Sequence, residues 1–284
     1  MNQKLYLLIA LFAFITNSTT AQNNNAIFPS PQKINYSEGK TSSDTPYLLQ
    51  GNFKLQPNSL VVLNELFNTK SANKALPIII TSLKSTDKNL NVSGGYTLKV
   101  TPQSIQISVS DHRGAFYALQ TLKQLKKDNN FPLVDITDYP DVLSRGSVEG
   151  FYGNPWSHQD RISQFKFYGS LKLNTYIYGP KDDPYHSSPN WRKPYPEKDA
   201  NQIKELVKEA KNNEIDFTWA IHPGLDIKWN KTDSLAILNK FELMYDLGVR
   251  SFAVFFDDIS GEGTKAEKQA QLLNLLEFLI FYYL

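Results

Sequence analysis

Two adjacent carboxylates, Asp257 and Asp258, follow the apolar run Phe252-Ala253-Val254-Phe255-Phe256 and precede Ile259-Ser260-Gly261-Glu262-Gly263. Two like charges in one cleft disfavour double ionisation, so such a pair can divide its work: one acid holds a proton while the other stays anionic. Neighbours on a strand point to opposite faces. Both aspartates can therefore serve one pocket only if the backbone leaves strand geometry between them, which the C-terminal edge of a strand permits. Parallel barrels keep their active sites at that edge. Taken alone, the pair also reads as a helix N-cap with exposed neighbours, because Asp beside Ser-Gly is common loop chemistry.

Three further apolar runs end in polar or glycine-containing segments: Glu149-Gly150-Phe151-Tyr152-Gly153, Tyr178-Gly179-Pro180-Lys181-Asp182-Asp183-Pro184 and Ile221-His222-Pro223-Gly224. Lys181, taken alone, reads as a surface lysine in a Pro-flanked turn. Gly150, taken alone, reads as a strand glycine needed only for tight packing. The histidines His112, His158, His186 and His222 are too far apart for a helical metal motif and are read as ordinary surface or core residues. Phe151, Tyr152, Tyr176 and Tyr178, with Trp156, Trp191, Trp219 and Trp229, are assigned to the core. No metal or cofactor is expected.

The elements that must position these residues come as strand, helix, strand, helix. Strands are expected at 146–151, 174–178, 216–221 and 251–256, with helices at 159–171, 198–212, 231–247 and 265–279. Four βα units in a row predict a parallel α/β architecture. No Gly-x-Gly-x-x-Gly or phosphate-cradling turn follows any strand, so a barrel is preferred to a doubly wound sheet. A closed barrel has eight strands in about 250 residues; four strands here make the first half of one. The apolar end from Phe278 to Leu284 lacks a polar face, which suggests a truncated or frame-shifted product, poorly folded and inactive as it stands.

Upstream, strands are expected at 77–81, 96–100 and 105–110, the last alternating apolar and polar residues. Ala115, Ala118, Leu119, Leu122 and Leu125 then recur at helical spacing, with Gln120, Lys123, Gln124 and Lys126 on the other side. That predicts a small α+β domain over 22–140, with a boundary in the segment between Pro132 and Pro140, and the barrel portion over 141–284. Residues 22–45 are rich in Asn, Ser and Pro, with Pro29-Ser30-Pro31 in an extended lead-in, and no stable element is expected before Pro31.

Residues 1–21 read as a signal peptide: Lys4, an apolar run from Leu5 to Ile15, and a small-residue site at Thr20-Ala21-Gln22. The run is too short to span a bilayer, so an exported mature chain, periplasmic or extracellular and without stable membrane insertion, is expected. The absence of cysteine rules out disulfides and thiolate zinc sites and leaves stability to a packed core. A net charge of +2 with scattered basic residues gives no nucleic-acid signature.

Three runs carry a resemblance: Val148-Glu149-Gly150-Phe151-Tyr152-Gly153-x-Pro155-Trp156-Ser157, Tyr176-Ile177-Tyr178-Gly179-Pro180-Lys181-Asp182-Asp183-Pro184-Tyr185-His186, and Phe255-Phe256-Asp257-Asp258-Ile259. They resemble the signature segments of glycoside hydrolase family 84, which includes bacterial homologues of the O-GlcNAcase enzymes. Gly95-Tyr96-x-Leu98 with Asp111-x-Arg113-Gly114-x-Phe116-Tyr117-Ala118-Leu119-Gln120-Thr121-Leu122 resembles the small domain that precedes the barrel in hexosaminidase-like enzymes.

The resemblance implies removal of terminal β-linked N-acetylglucosamine from glycans or glycoconjugates, with retention and with the substrate's own 2-acetamido oxygen as nucleophile. By the same resemblance, Asp257 orients the acetamido group and stabilises the positive charge of the intermediate. Asp258 protonates the leaving oxygen and later deprotonates water, Lys181 meets the sugar hydroxyls, and the backbone at Gly150 approaches the sugar. Two alternatives stay open: an inactive carbohydrate-binding or structural fragment, and a hyaluronan-degrading glucosaminidase.

Overall fold

The computed structural model describes residues 27–67, 75–151 and 153–283, the last six by backbone alone. The expected leader over 1–21 and Tyr152 lie outside the described residues. Two sheets organise the chain. The first has six strands, β1 (Lys33–Ser42), β2 (Tyr47–Gly51), β3 (Leu76–Ser82), β4 (Tyr96–Val100), β5 (Ile105–Val109) and β6 (Asn130–Asp138), in the order β1-β6-β4-β5-β3-β2. Pairing is antiparallel from β1 through β5 and parallel between β5, β3 and β2.

Helix α1 (Pro57–Leu66) and helix α2 (His112–Leu125) pack against each other, with α2 laid across β4 and β5. Asp111 caps α2 by accepting from the Gly114 N–H at 2.8 Å, which satisfies an otherwise orphaned first-turn donor. The expected stripe Ala115, Ala118, Leu119, Leu122 and Leu125 is fully buried. Gln120, expected on the solvent side, is buried as well, because α2 is covered on two sides.

β1 begins at Lys33, beyond the Pro31 before which no stable element is expected, and the segment between Pro132 and Pro140, expected as part of the boundary, contains most of β6. Proline lacks a ladder donor, yet Pro132 fits because β4 ends opposite Val134. Pro132 pairs only with Lys40, beyond a register shift in β1.

The second sheet is parallel throughout: β7 (Gly146–Glu149), β8 (Thr175–Tyr178), β9 (Asp216–Ile221) and β10 (Ser251–Val254), ordered as they occur in the chain. The intervening helices are α3 (His158–Ser170), α4 (Glu197–Asn212) and α5 (Lys231–Asp246), and α6 (Ala266–Tyr283) follows β10. A doubly wound sheet reverses its strand order at a switch point; this one does not, and its arrangement is that of the first half of a (β/α)8 barrel. α3 opens with a capping box, Ser157 and Asp160 each accepting from the other's backbone N–H. The core between helices and sheet holds Phe165, Tyr176, Trp191, Trp219, Phe241 and Met244. No described helix is long and apolar enough to cross a membrane.

A buried polar seam joins the two sheets. Lys172, in the turn before β8, donates to Asp138 Oδ2 at 2.7 Å and to the Tyr96 hydroxyl at 2.9 Å. Arg113 on α2 pairs with Asp216 at the foot of β9, and Asn58 on α1 donates to Glu214.

Candidate active site

Gly150, Lys181, His222 and Asp257 each follow the C-terminal end of one of the four parallel strands. A cleft of about 300 Å³ there is lined by Val148, Gly150, Lys181, Phe255 and Asp257. A larger cavity of about 810 Å³ lies at the opposite strand ends, where Thr175, Asp216 and Ser251 face Gln56, His112 and Arg113. Its acids Glu214 and Asp216 are engaged by the seam, and barrel chemistry belongs to the other rim.

Beyond β10 the backbone turns sharply, and Asp258 takes a left-handed conformation with φ 53°. Aspartate tolerates that region better than most side chains. Strand alternation is thereby broken at the acid pair, as a shared pocket requires. Both aspartates are exposed. The cleft lining includes Asp257, with its Oδ2 3.4 Å from Lys181 Nζ. Asp258, the next residue, is not among the residues that line the cleft.

Gly150 has room beside it. A Cβ built there would lie 3.7 Å from Val148 Cγ1, 3.8 Å from Gly179 O and 3.9 Å from Phe255 Cε2, all ordinary contacts. Packing therefore does not require this glycine. Gly146, by contrast, would place a Cβ 1.6 Å from Thr175 O.

The residues flanking Gly150 and Lys181 share one anchor. Arg161 on α3 grips Glu149, its Nε donating to Oε2 at 2.8 Å and its Nη2 to Oε1 at 2.8 Å, and Nη2 also reaches Asp182 Oδ1 at 3.5 Å. The Tyr176 hydroxyl donates to the same Glu149 carboxylate. Burial alone would lower the affinity of Arg161 for its proton, but the bonds to Glu149 carry it above the usual range. Burial, reinforced by Glu149, raises Tyr176.

Behind Lys181, Asp183 accepts from the hydroxyls of Tyr178 at 3.1 Å and Tyr195 at 2.6 Å and from the Tyr185 N–H at 2.7 Å. Burial, then the Asp183 charge, pushes both tyrosines well above the ordinary phenol range. Further along the loop, Asp226 accepts from Ser188, Trp191 and Arg192 at 2.6 to 2.8 Å. Lys181 thus stands on a loop pinned at several points.

Read as an ordinary histidine from sequence, His222 is buried under the acid pair, its Nε2 2.8 Å from the Asp257 carbonyl oxygen. No spacing signal marked it. Of the aromatic residues assigned to the core, Tyr176, Tyr178, Trp191 and Trp219 are buried, while Phe151 is 40% exposed and packs edge-on against Trp156.

Residues 145–279 match the beta-N-acetylglucosaminidase family, and residues 24–139 match domain 2 of glycosyl hydrolase family 20. The chain is 41% identical over 125 residues to the proteins named Protein O-GlcNAcase of Rattus norvegicus and Mus musculus, a match covering 44% of this chain and 14% of each relative. Among solved structures, CpGH84B superposes with a TM-score of 0.79 at 33% identity and CpGH84D with 0.77 at 29%. These matches cover 91% and 90% of this chain and 48% of each of those chains, so the chain spans about half the length of these solved relatives. With the acid pair, the lysine and the glycine on one rim of a half-barrel behind a family-20-type domain, these matches support an O-GlcNAcase-like chain of glycoside hydrolase family 84.

Proposed function

We propose that Asp257 and Asp258 are the catalytic acids of a retaining β-N-acetylglucosaminidase in which the substrate's 2-acetamido oxygen attacks the anomeric carbon. The observation that carries this reading is the cleft itself, lined by Val148, Gly150, Lys181 and Asp257, with Asp258 the next residue of the chain. An ordinary retaining glycosidase places a nucleophilic carboxylate about 5 to 5.5 Å from its acid, across the sugar. Neighbouring aspartates on one turn cannot straddle a ring in that way, but with an internal nucleophile neither has to.

In this mechanism Asp257 accepts the acetamido N–H, aligns its oxygen with the anomeric carbon and offsets the positive charge of the oxazolinium intermediate. Asp258 gives its proton to the leaving oxygen and then takes one from the attacking water. Lys181, beside Asp257, donates to sugar hydroxyls, and the sugar lies against the backbone of Gly150.

The test uses chromogenic N-acetylglucosaminides with good and poor leaving groups. General acid and base help typically contributes about 10²- to 10⁴-fold. Asp258→Asn should recover its first step with a leaving group that needs no proton. Asp257→Asn should stay slow with both. Equal and small losses for the two variants would sink the assignment; binding of N-acetylglucosaminides without turnover would favour a carbohydrate-binding role. Product analysis with hyaluronan separates the remaining reading.

A further inference from the structure

We infer that His222 is a positioning residue for the acid pair: its ring holds both the backbone and the carboxylate of Asp257 in the orientation that receives the acetamido group. The inference rests on the proposed roles of Asp257 and Asp258 and adds to them the device that fixes their geometry.

His222 directly follows β9 and is buried, its backbone N–H donating to His186 O at 2.7 Å. Its Nε2 lies 2.8 Å from the Asp257 carbonyl oxygen and 3.3 Å from Asp257 Oδ1. A carbonyl oxygen only accepts, so Nε2 carries the hydrogen and the tautomer is set by that contact. The carboxylate oxygen Oδ1 lies close to the same nitrogen. One donor therefore constrains the main chain and the side-chain rotation of Asp257 together, while Lys181 approaches the other carboxylate oxygen.

The turn also needs this hold. Asp258 sits in a left-handed conformation, which aspartate tolerates better than most side chains but still at a cost that its surroundings must offset. The second hold lies on the far side, where Ile259 fits against two glycines. A Cβ at Gly224 would come within 2.4 Å of Ile259 Cγ2, and one at Gly263 within 2.9 Å of Ile259 Cδ1. His222 and Gly224 belong to one short loop after β9. That loop grips the acid turn by a hydrogen bond before Asp258 and by an apolar seat after it.

Two variants separate positioning from packing. His222→Phe keeps a ring but offers no donor; His222→Gln keeps an N–H that can reach the Asp257 carbonyl. The probes are methyl β-N-acetylglucosaminide and its 2-deoxy counterpart, bound to the intact protein and followed by titration calorimetry, with thermal melting as the check on folding. A hydrogen bond to a charged group predicts that wild type prefers the acetamido sugar by about 10- to 100-fold. His222→Phe should lose most of that preference, and His222→Gln should keep it to within about threefold.

A folded His222→Phe variant with the full preference, or a His222→Gln variant no better than His222→Phe, would overturn the inference. Loss of preference in wild type itself would refute the glycosidase reading instead. The hold on the turn is then decided without sugar or variant by nitrogen-15 NMR of the histidine rings. A slowly exchanging Nε2–H on His222 supports it, and a ring protonated at Nδ1 alone overturns it.

Discussion

Replacing Arg161 by methionine should be among the most damaging single changes in the parallel sheet. Glu149 is 1% exposed, and two of its hydrogen bonds come from one guanidinium at 2.8 Å. Methionine fills much of the volume but leaves the carboxylate with the Tyr176 hydroxyl and no counter-charge. Removing one partner of a buried ion pair costs about 3 to 5 kcal/mol, because the desolvated survivor is uncompensated. At an m-value of about 3 kcal/mol per M in urea, that is a midpoint lowered by about 1 to 1.7 M. The four tryptophans fall at 156, 191, 219 and 229, so their fluorescence reports the parallel half selectively. Replacing both partners, Arg161→Met with Glu149→Leu, removes the stranded charge and should return stability to within about 1 kcal/mol of wild type. A single-variant loss below about 1 kcal/mol, or a double variant as unstable as the single one, would refute the reasoning.

Gly150→Ala should leave the melting temperature within a few degrees of wild type while weakening N-acetylglucosaminide binding, whereas Gly146→Ala, with its Cβ 1.6 Å from Thr175 O, should disrupt the sheet. Equal thermal losses would return Gly150 to a packing role. Lys240 is buried, donates to Lys193 O at 2.6 Å and is lowered by burial from 10.5 to about 8. Between those values the unfolded chain holds a proton that the folded chain has released, so stability rises with pH across the window; from pH 7 to 9.5 wild type should gain about 2 kcal/mol relative to Lys240→Met in urea titrations. A pH-independent difference between the two would remove that account. Export through the leader read at 1–21 predicts a mature species beginning at Gln22 by mass spectrometry, and secreted material retaining Met1 would count against it.

The parallel half was legible in the sequence because its strand signals are strong: apolar runs ending in polar, Gly- or Pro-containing segments, separated by stretches of helical length. Strand β9 spans the expected 216–221, and the three other strands and the first three helices begin or end within two residues of expectation. The first sheet was legible only at its centre. β4 and β5 bury alternate residues, whereas β2 is mostly exposed and β1 buries only Thr41, so neither edge shows a period-two apolar pattern. β6 was obscured by Pro132, whose missing donor costs nothing where β4 has already ended. At the site, residue type could point to the acid pair, but the left-handed turn at Asp258 and the histidine beneath it arise from contacts between β9 and β10 loops 35 residues apart. Local patterns encode which residues can do chemistry. The orientation of Asp257 is a tertiary property, set by His222 on one side and by the seat of Ile259 on Gly224 and Gly263 on the other, and it becomes visible only when those strand ends are brought together.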